Sequence, residues 1–162
     1  KPMGNGIPIS GLAAKEDVLA AFSDKLPYFN TFGGNPVSIA AAQAVLKYIK
    51  DENLQEHCKK AGAALLKALK EVQERHPESV GDVRGVGLFL GFEFVKNDGN
   101  KTPDKDMALN VIEMLRDEHI LTSVIGHYGN ILKLRPPMVF SENDIDWFAT
   151  SLDKCITKLE NK

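Results

Sequence analysis

The chain has 162 residues, 43% of them hydrophobic and 26% charged, which is enough apolar material for a hydrophobic core. The formal net charge is -2 and the basic residues are scattered, which argues against nucleic-acid and anionic-membrane partners. Cys58 and Cys155 lie far apart and outside any CxxC or zinc-spaced pattern, which favours reduced thiols over a metal site.

The first half of the sequence predicts loops that alternate with helices. Residues 1–10 are predicted to form a loop that leads into a short buried strand over residues 11–14. Asn35 is a suitable N-cap and Pro36 a suitable first helical residue, so a helix begins there, and its alanines predict that it is largely buried. Helices are predicted over residues 15–23, 36–50 and 54–76.

The second half predicts a small α/β unit. Residues 80–95 are strand-like, and their glycines indicate a hairpin or a bulge. A helix over residues 105–118 carries Leu109, Ile112 and Leu115 on one face. Further strands are predicted over residues 120–124 and 130–134. Ser141 opens the last helix with an S-x-x-D capping signal, and that helix points five apolar residues inward: Ile145, Phe148, Leu152, Ile156 and Leu159.

Three segments carry residues that could perform chemistry. The first is KPMGNGIPI, in which Lys1 precedes a glycine-containing loop. A lysine can form an imine with an aldehyde cofactor when its surroundings lower its pKa. From this residue alone, a solvated lysine is the usual explanation, because most lysines are solvated.

The second segment is NTFGGNP, residues 30–36, which collects a hydroxyl, two amides and flexible backbone N–H groups before a predicted helix. Free N–H groups and the helix dipole both favour an anion such as a phosphate at this place. A plain loop with an Asn-Pro cap is the alternative.

The third segment is NILKLRPPM, in which the period of two places Lys133 and Arg135 on one face of a strand. Two neighbouring cations could bind a carboxylate or a phosphate. A solvated strand face remains the alternative. The four histidines show no convergent spacing with each other or with carboxylates, so no metal site is predicted.

In this order, KPMGNGIPIS, YFNTFGGNPVS, GDVRGVGLFLGFEFVK and NILKLRPPMVF resemble class III aminotransferases across essentially the whole chain. Within that family, the chain most resembles the branch that contains the alanine-glyoxylate aminotransferase 2-like proteins and phospho-lyases. The resemblance implies an α/β fold, a fragment of a fold-type I enzyme that uses pyridoxal 5'-phosphate. Residues 1–80 would be the end of the large cofactor domain, residues 81–162 the C-terminal small domain, and the N-terminal two-thirds would lie upstream.

The resemblance also assigns roles. Lys1 matches the catalytic lysine that holds pyridoxal phosphate as a Schiff base and moves the substrate Cα proton. Asn30 and Thr31 match positions that reach the cofactor phosphate of the neighbouring subunit in a homodimer. The family's aminotransferases commonly have an arginine for the substrate carboxylate where this chain has Lys133, with Arg135 two residues further on, whereas the phospho-lyase branch is similar to this chain in carrying lysine.

The expected function is therefore that of a phospho-lyase acting on a small phosphorylated amine, of the ethanolamine phosphate or phosphohydroxylysine type. An ordinary aminotransferase, such as an alanine-glyoxylate transaminase, is the runner-up, and a noncatalytic dimerising α/β module is the alternative from another class. The fragment alone is expected to be inactive, because the residues that would hold the pyridine ring lie upstream. An intracellular location is expected, mitochondrial or cytosolic, which this sequence does not decide.

Overall fold

A computed structural model describes residues 2–161 of the chain, and both terminal lysines lie outside the described residues. The chain divides into two compact units, Lys1–Asn53 and Leu54–Lys162. Among residues 2–161, no helix has the length and apolar composition needed to cross a membrane. The mixed α/β fold that the sequence predicts is confirmed.

The first unit contains two α-helices, as predicted. A 3-10 turn at Pro2–Gly4 precedes α1, Glu16–Ser23, and α2, Pro36–Asp51. The N-terminus of α2 forms as its sequence predicts, because the Asn35 side chain accepts a hydrogen bond from the backbone of Ser38 at 3.0 Å.

Two expectations about the first unit are wrong. Residues 11–14 form no strand, and Leu12 is 83% exposed, because no described segment of this unit pairs with them. No residue of α2 is buried, and its Leu46 is 53% exposed. Alanine favours the helical backbone, but burial requires a second surface, which the described part of this unit does not place over α2.

The second unit is a four-stranded antiparallel sheet covered on one face by helices. The strands follow the order β1-β2-β4-β3, and the helices α3 and α4 pack on the sheet while α5 packs on both of them. The elements in chain order are α3 (Leu54–Arg75), β1 (Val80–Val86), β2 (Phe89–Phe94), α4 (Lys105–Asp117), β3 (Ser123–Ile125), β4 (Ile131–Leu134) and α5 (Glu142–Glu160).

The glycine-rich stretch forms a hairpin with a bulge, as predicted. β1 pairs with β2, and its register shifts between Val80 and Asp82. The turn of the hairpin lies against α3, where a Cβ on Gly62 would come within 2.2 Å of the Gly87 carbonyl oxygen. Only a glycine at position 62 therefore permits this approach of helix and hairpin.

The core of the second unit agrees with the predicted helix faces in most positions. In α5, four of the predicted inward residues are buried and Leu159 is partly buried against them. In α4 the predicted face is rotated, because Ala108 and Val111 are fully buried and Leu109 is 37% exposed. Strand β3 is shorter and begins later than predicted, at Ser123, where pairing with Lys133 starts.

The helix α3 belongs with the sheet of the second unit. Its apolar residues Leu65, Leu69 and Val72 are buried in the core that β1 and α5 share. The compact units consequently divide at Asn53 and Leu54, before this helix. The boundary after residue 80, between a large and a small domain, stays a prediction.

Candidate functional site

The loop before α2 is held by the side chain of Asn30. Its Oδ1 accepts hydrogen bonds from the backbone N–H of Phe32 at 3.1 Å and of Gly33 at 3.0 Å. Its Nδ2 donates to the hydroxyl of Tyr28 at 3.1 Å. Both ends of the amide are thus engaged within the loop, so that Asn30 shapes the segment that presents Thr31.

The groups that this loop exposes suit a phosphate. The Thr31 side chain is exposed, and the loop enters the N-terminus of α2, where backbone N–H groups carry a partial positive charge. Gly34 has φ +71°, a left-handed conformation that glycine adopts without strain. The sequence has no acidic residue from Lys25 to Lys50 that would repel an anion.

A small concavity of about 210 Å³ lies beside this loop, within the first unit. Ser10 and Ser38 line this concavity together with Asn30 and Asn35. The sequence analysis did not predict either serine as a site residue. Ser38 could have been predicted from its position three residues after the N-cap. Its backbone N–H donates a hydrogen bond to the Asn35 side chain, and its Oγ accepts one from it. No comparable sequence signal marks Ser10, because its place depends on how the preceding loop folds.

In the second unit, Lys133 and Arg135 lie at the end of β4. Both residues border a groove of about 530 Å³ with largely apolar walls, including Phe140 and Trp147, while strand alternation directs the Lys133 side chain to the face of the sheet opposite the helices. Among residues 2–161 neither cation forms an ion pair with a carboxylate. The structure therefore brings the two predicted cations to one surface and leaves both available to an anion.

One carboxylate, Asp144, also lines the groove. Its Oδ2 accepts hydrogen bonds from the Ser141 hydroxyl at 2.6 Å and from the Ser141 backbone at 2.8 Å. These hydrogen bonds lower the pKa of Asp144 below its ordinary value. This carboxylate therefore caps the N-terminus of α5.

A third cation on the same sheet, Arg84, is neutralised. It donates hydrogen bonds to Glu93 at 2.7 Å and to Asp82 at 2.6 Å, and these two partners raise its pKa above the ordinary value. Arg84 therefore stabilises the hairpin, whereas the cations at the end of β4 have no ion-pair partner within the described residues.

Neither cysteine has the properties of a nucleophile. Cys58 and Cys155 are both free, and burial raises the pKa of each thiol. No group of three or more histidine, cysteine, aspartate and glutamate side chains in the part of the chain that the structure describes could hold a metal ion. The predicted catalytic residue, Lys1, lies outside the described residues.

The comparison with protein families identifies the chain. The model of the family described as Aminotransferase class-III matches residues 1–156. The chain belongs to the class III aminotransferase family. This family match confirms the resemblance seen in the sequence.

Two curated relatives belong to the branch that the sequence resembles. The ethanolamine-phosphate phospho-lyase homolog 1 of Caenorhabditis elegans is 45% identical over 97% of this chain and 34% of its own length. The alanine-glyoxylate aminotransferase 2-like protein of Drosophila melanogaster is 39% identical over 97% of this chain and 32% of its own length. Some other relatives are named as mitochondrial proteins.

A solved structure supports the fold of this class III chain. A phospholyase from Arthrobacter, in complex with phosphoethanolamine, superposes with a TM-score of 0.91 at 37% identity, covering 96% of this chain and 36% of its own chain. This chain spans about a third of the length of the curated relatives that it matches.

Family membership implies pyridoxal phosphate as the cofactor, and the described residues fit its phosphate group. The exposed Thr31 hydroxyl and the N-terminal N–H groups of α2 are donors, which a phosphate requires. A Cβ on Gly33 would lie 3.1 Å from Cγ of Asn30, so a larger residue would disturb the side chain that shapes the loop.

Proposed function

We propose that the whole protein is a pyridoxal-phosphate-dependent phospho-lyase that acts on a small phosphorylated amine. The observation that carries this proposal is the pair of cations at the end of β4, Lys133 and Arg135, which form no ion pair with a carboxylate among residues 2–161. Two cations suit a phosphate dianion better than a single carboxylate. The names of the relatives, a phospho-lyase homolog and a phospholyase bound to phosphoethanolamine, agree with this choice.

Each candidate residue has a role in the proposed reaction. Lys1 binds the cofactor covalently and moves the proton at the substrate Cα. Thr31 and the N-terminus of α2 bind the cofactor phosphate, and Asn30 holds their loop in shape. Lys133 and Arg135 bind the phosphate of the substrate and orient its bond to carbon.

The cofactor, when bound, supplies an electron sink that stabilises the negative charge left at Cα after the proton is removed. For phosphoethanolamine, the C–O bond to the phosphate then breaks with its electron pair leaving on the phosphate oxygen. Addition of one water balances the overall reaction, which yields acetaldehyde, ammonia and inorganic phosphate. The cations at the end of β4 stabilise the charge on the departing phosphate.

An ordinary aminotransferase is the second candidate, because one relative is named as alanine-glyoxylate aminotransferase 2-like. Such an enzyme would bind a carboxylate, for which the family's aminotransferases use an arginine at the position of Lys133. We further expect a homodimer that is intracellular, mitochondrial or cytosolic, and that binds small amines rather than nucleic acid or membranes. Residues 1–162 alone are expected to be inactive.

The test uses the full-length protein loaded with pyridoxal phosphate. Phosphoethanolamine and phosphohydroxylysine are offered beside an alanine and glyoxylate pair, and released phosphate is measured against pyruvate. Phosphate release that is lost in Lys1→Ala would support the lyase and the role of Lys1. Pyruvate without phosphate would instead establish the aminotransferase. A folded protein that shows no imine absorbance with the cofactor would favour the noncatalytic module.

A further inference from the structure

The open face of the sheet, opposite the helices, has a defined arrangement around Lys133. Strand side chains alternate between faces, and Leu132 and Leu134 of β4 are buried on the helix side. Lys133 therefore points to the open face, where its cross-strand partners are Gly91 of β2 and Ser123 of β3. Both partners are small, and Lys133 is half-buried beside them.

The next row of the same face places an aromatic ring beside Arg135. Leu90 pairs with Leu134, so the residues that follow this pair toward the end of the sheet are Phe89 and Arg135. The guanidinium carbon of Arg135 lies 5.8 Å from the centre of the Phe89 ring. This distance is within the range of a cation–π interaction.

This contact bears on the orientation of Arg135. Arg135 follows the last residue of β4, and the double proline after it donates no backbone hydrogen bonds that would extend the strand. An exposed arginine has many side-chain conformations, and ordering them costs free energy when a ligand binds. A ring that already holds the guanidinium reduces this cost.

The exposure of Phe89 needs an explanation of its own. The ring is 57% exposed although it belongs to the central strand β2, next to Gly91 and across from Val86 of β1. Burial in the core does not account for a phenylalanine at this place, because the core lies on the other face of the sheet. The guanidinium of Arg135 lies over this ring.

We infer that Phe89 is a positioning residue that holds the Arg135 guanidinium beside Lys133, so that two fixed cations select a phosphate dianion over a carboxylate. The inference rests on the proposed function for its substrate, a phosphorylated amine. It does not make Phe89 a ligand, because a phenyl ring has no hydrogen-bond donor for a phosphate. The effect is on the affinity for the anion rather than on the chemistry at Cα.

The test measures anion binding as well as turnover, in the full-length protein loaded with its cofactor. Affinities for inorganic phosphate and for acetate are measured by calorimetry for wild type, Phe89→Leu and Phe89→Tyr. We expect Phe89→Leu to weaken phosphate binding about two- to fivefold, the range of an exposed cation–π contact, and to leave acetate binding nearly unchanged. The tyrosine variant keeps the ring and is expected to retain the affinity.

Kinetics and a matched control separate positioning from general damage. Phe89→Leu should raise the KM for the phosphorylated amine by the same factor while kcat changes little. Ile125→Ala, which removes an exposed apolar side chain from the same face but away from Phe89, should alter neither value. In a double-mutant cycle, Phe89→Leu should have no further effect on phosphate affinity once Arg135→Ala is present.

Each result is decisive. Unchanged phosphate affinity in Phe89→Leu, or an effect that simply adds to that of Arg135→Ala, would overturn the role of Phe89, whereas the lyase proposal would stand. Unchanged affinity in Lys133→Ala and Arg135→Ala would overturn the anion site altogether. If the wild type releases no phosphate from phosphorylated amines while Phe89→Leu still weakens phosphate binding, the lyase proposal fails and the positioning role survives.

Discussion

Asn30 uses both ends of its amide within its own loop, and this arrangement separates shaping the loop from binding the cofactor. Its Oδ1 satisfies the N–H groups of Phe32 and Gly33, and its Nδ2 reaches Tyr28. A residue engaged in this way acts on a ligand through the conformation of its neighbours, here Thr31. Direct contact of Asn30 with the cofactor phosphate, which the family resemblance implies, stays a prediction.

Replacing Asn30 by alanine is expected to weaken cofactor binding without unfolding the protein. The substitution removes hydrogen bonds to two backbone groups in an exposed loop, each with a net contribution of about 1 kcal/mol, so we expect up to roughly thirtyfold weaker binding of pyridoxal phosphate. Titration of the apoprotein, followed by cofactor absorbance, measures this. Asn110→Ala, which removes another exposed asparagine, from α4, is the control. Equal affinity in wild type and Asn30→Ala would contradict the role of the loop.

Lys133→Ala tests whether this lysine of β4 binds the substrate phosphate. A hydrogen bond to a charged group contributes about 1.5 to 3 kcal/mol, so the KM for a phosphorylated amine should rise roughly ten- to a hundredfold. Lys101→Ala removes an exposed lysine from the turn after β2 and should leave the KM unchanged. A similar KM in both variants would show that the substrate phosphate binds elsewhere.

At the scale of elements, α5 begins with a complete capping box. Ser141 and Asp144 exchange hydrogen bonds between side chain and backbone in both directions. Ser141→Ala should lower the free energy of unfolding by about 1 kcal/mol near neutral pH, measured by urea denaturation. Thr150→Ala removes a hydroxyl from the middle of the same helix and should change it little. An equal effect of both variants would argue against the cap.

The capping box also predicts how the stability of the protein changes with pH. The pKa of Asp144 is lowered in the folded state, chiefly by the Ser141 hydroxyl. Its contribution to stability is therefore present above the ordinary carboxyl pKa of about 4 and is lost as pH falls through the lower folded value. The stability difference between wild type and Ser141→Ala should narrow over this acidic range.

Hydrogen bonds of His76 connect the C-terminal ends of α3 and α5. His76 is 6% exposed, with Nδ1 at 2.7 Å from Glu160 and Nε2 at 3.1 Å from Asp153. His76→Ala leaves both carboxylates without this partner, and we expect a loss of about 2 kcal/mol in the free energy of unfolding. Arg75→Ala removes an exposed partner of Asp153 and should cost at most about 1 kcal/mol. A larger loss in Arg75→Ala would contradict this ranking.

The elements differ in how far the sequence predicts them. The start of α2 and the capping box of α5 were predictable because each depends on residues within one turn, such as Asn35 and Ser141. The beginning of β3 was not, because it depends on pairing with a strand that follows a turn. The burial of α2 failed for a related reason, since the alanines determine a helix but not the surface against which it packs.

The candidate site divides in the same way. Lys133 and Arg135 could be predicted as neighbours from the period of a single strand. The proximity of Phe89 to Arg135 could not, since it depends on the register between β2 and β4, which are separated by α4. The internal hydrogen bonds of Asn30 also became visible only with the fold of its loop.

At the scale of the whole molecule, the two units differ in what stabilises them. All buried hydrophobic residues of the described chain lie between Leu54 and Ile156, within the second unit. In the first unit, apolar side chains such as Phe29, 87% exposed, and Val37, 72% exposed, have no described cover. Because burial of apolar surface is the main favourable contribution to folding, the second unit should be stable by itself.

Residues 54–162 produced alone are therefore expected to unfold cooperatively in urea, with a dispersed amide NMR spectrum, whereas residues 1–53 alone should give a collapsed spectrum. Leu152→Ala, in the core between α5 and its neighbours, should destabilise the isolated second unit by about 2 to 5 kcal/mol, which confirms that the native core has formed. Leu121→Ala, at an 87% exposed position of the same unit, is the matched control. A disordered spectrum for residues 54–162 would mean that this core requires the first unit, and the division at Asn53 would then not be a division of stability.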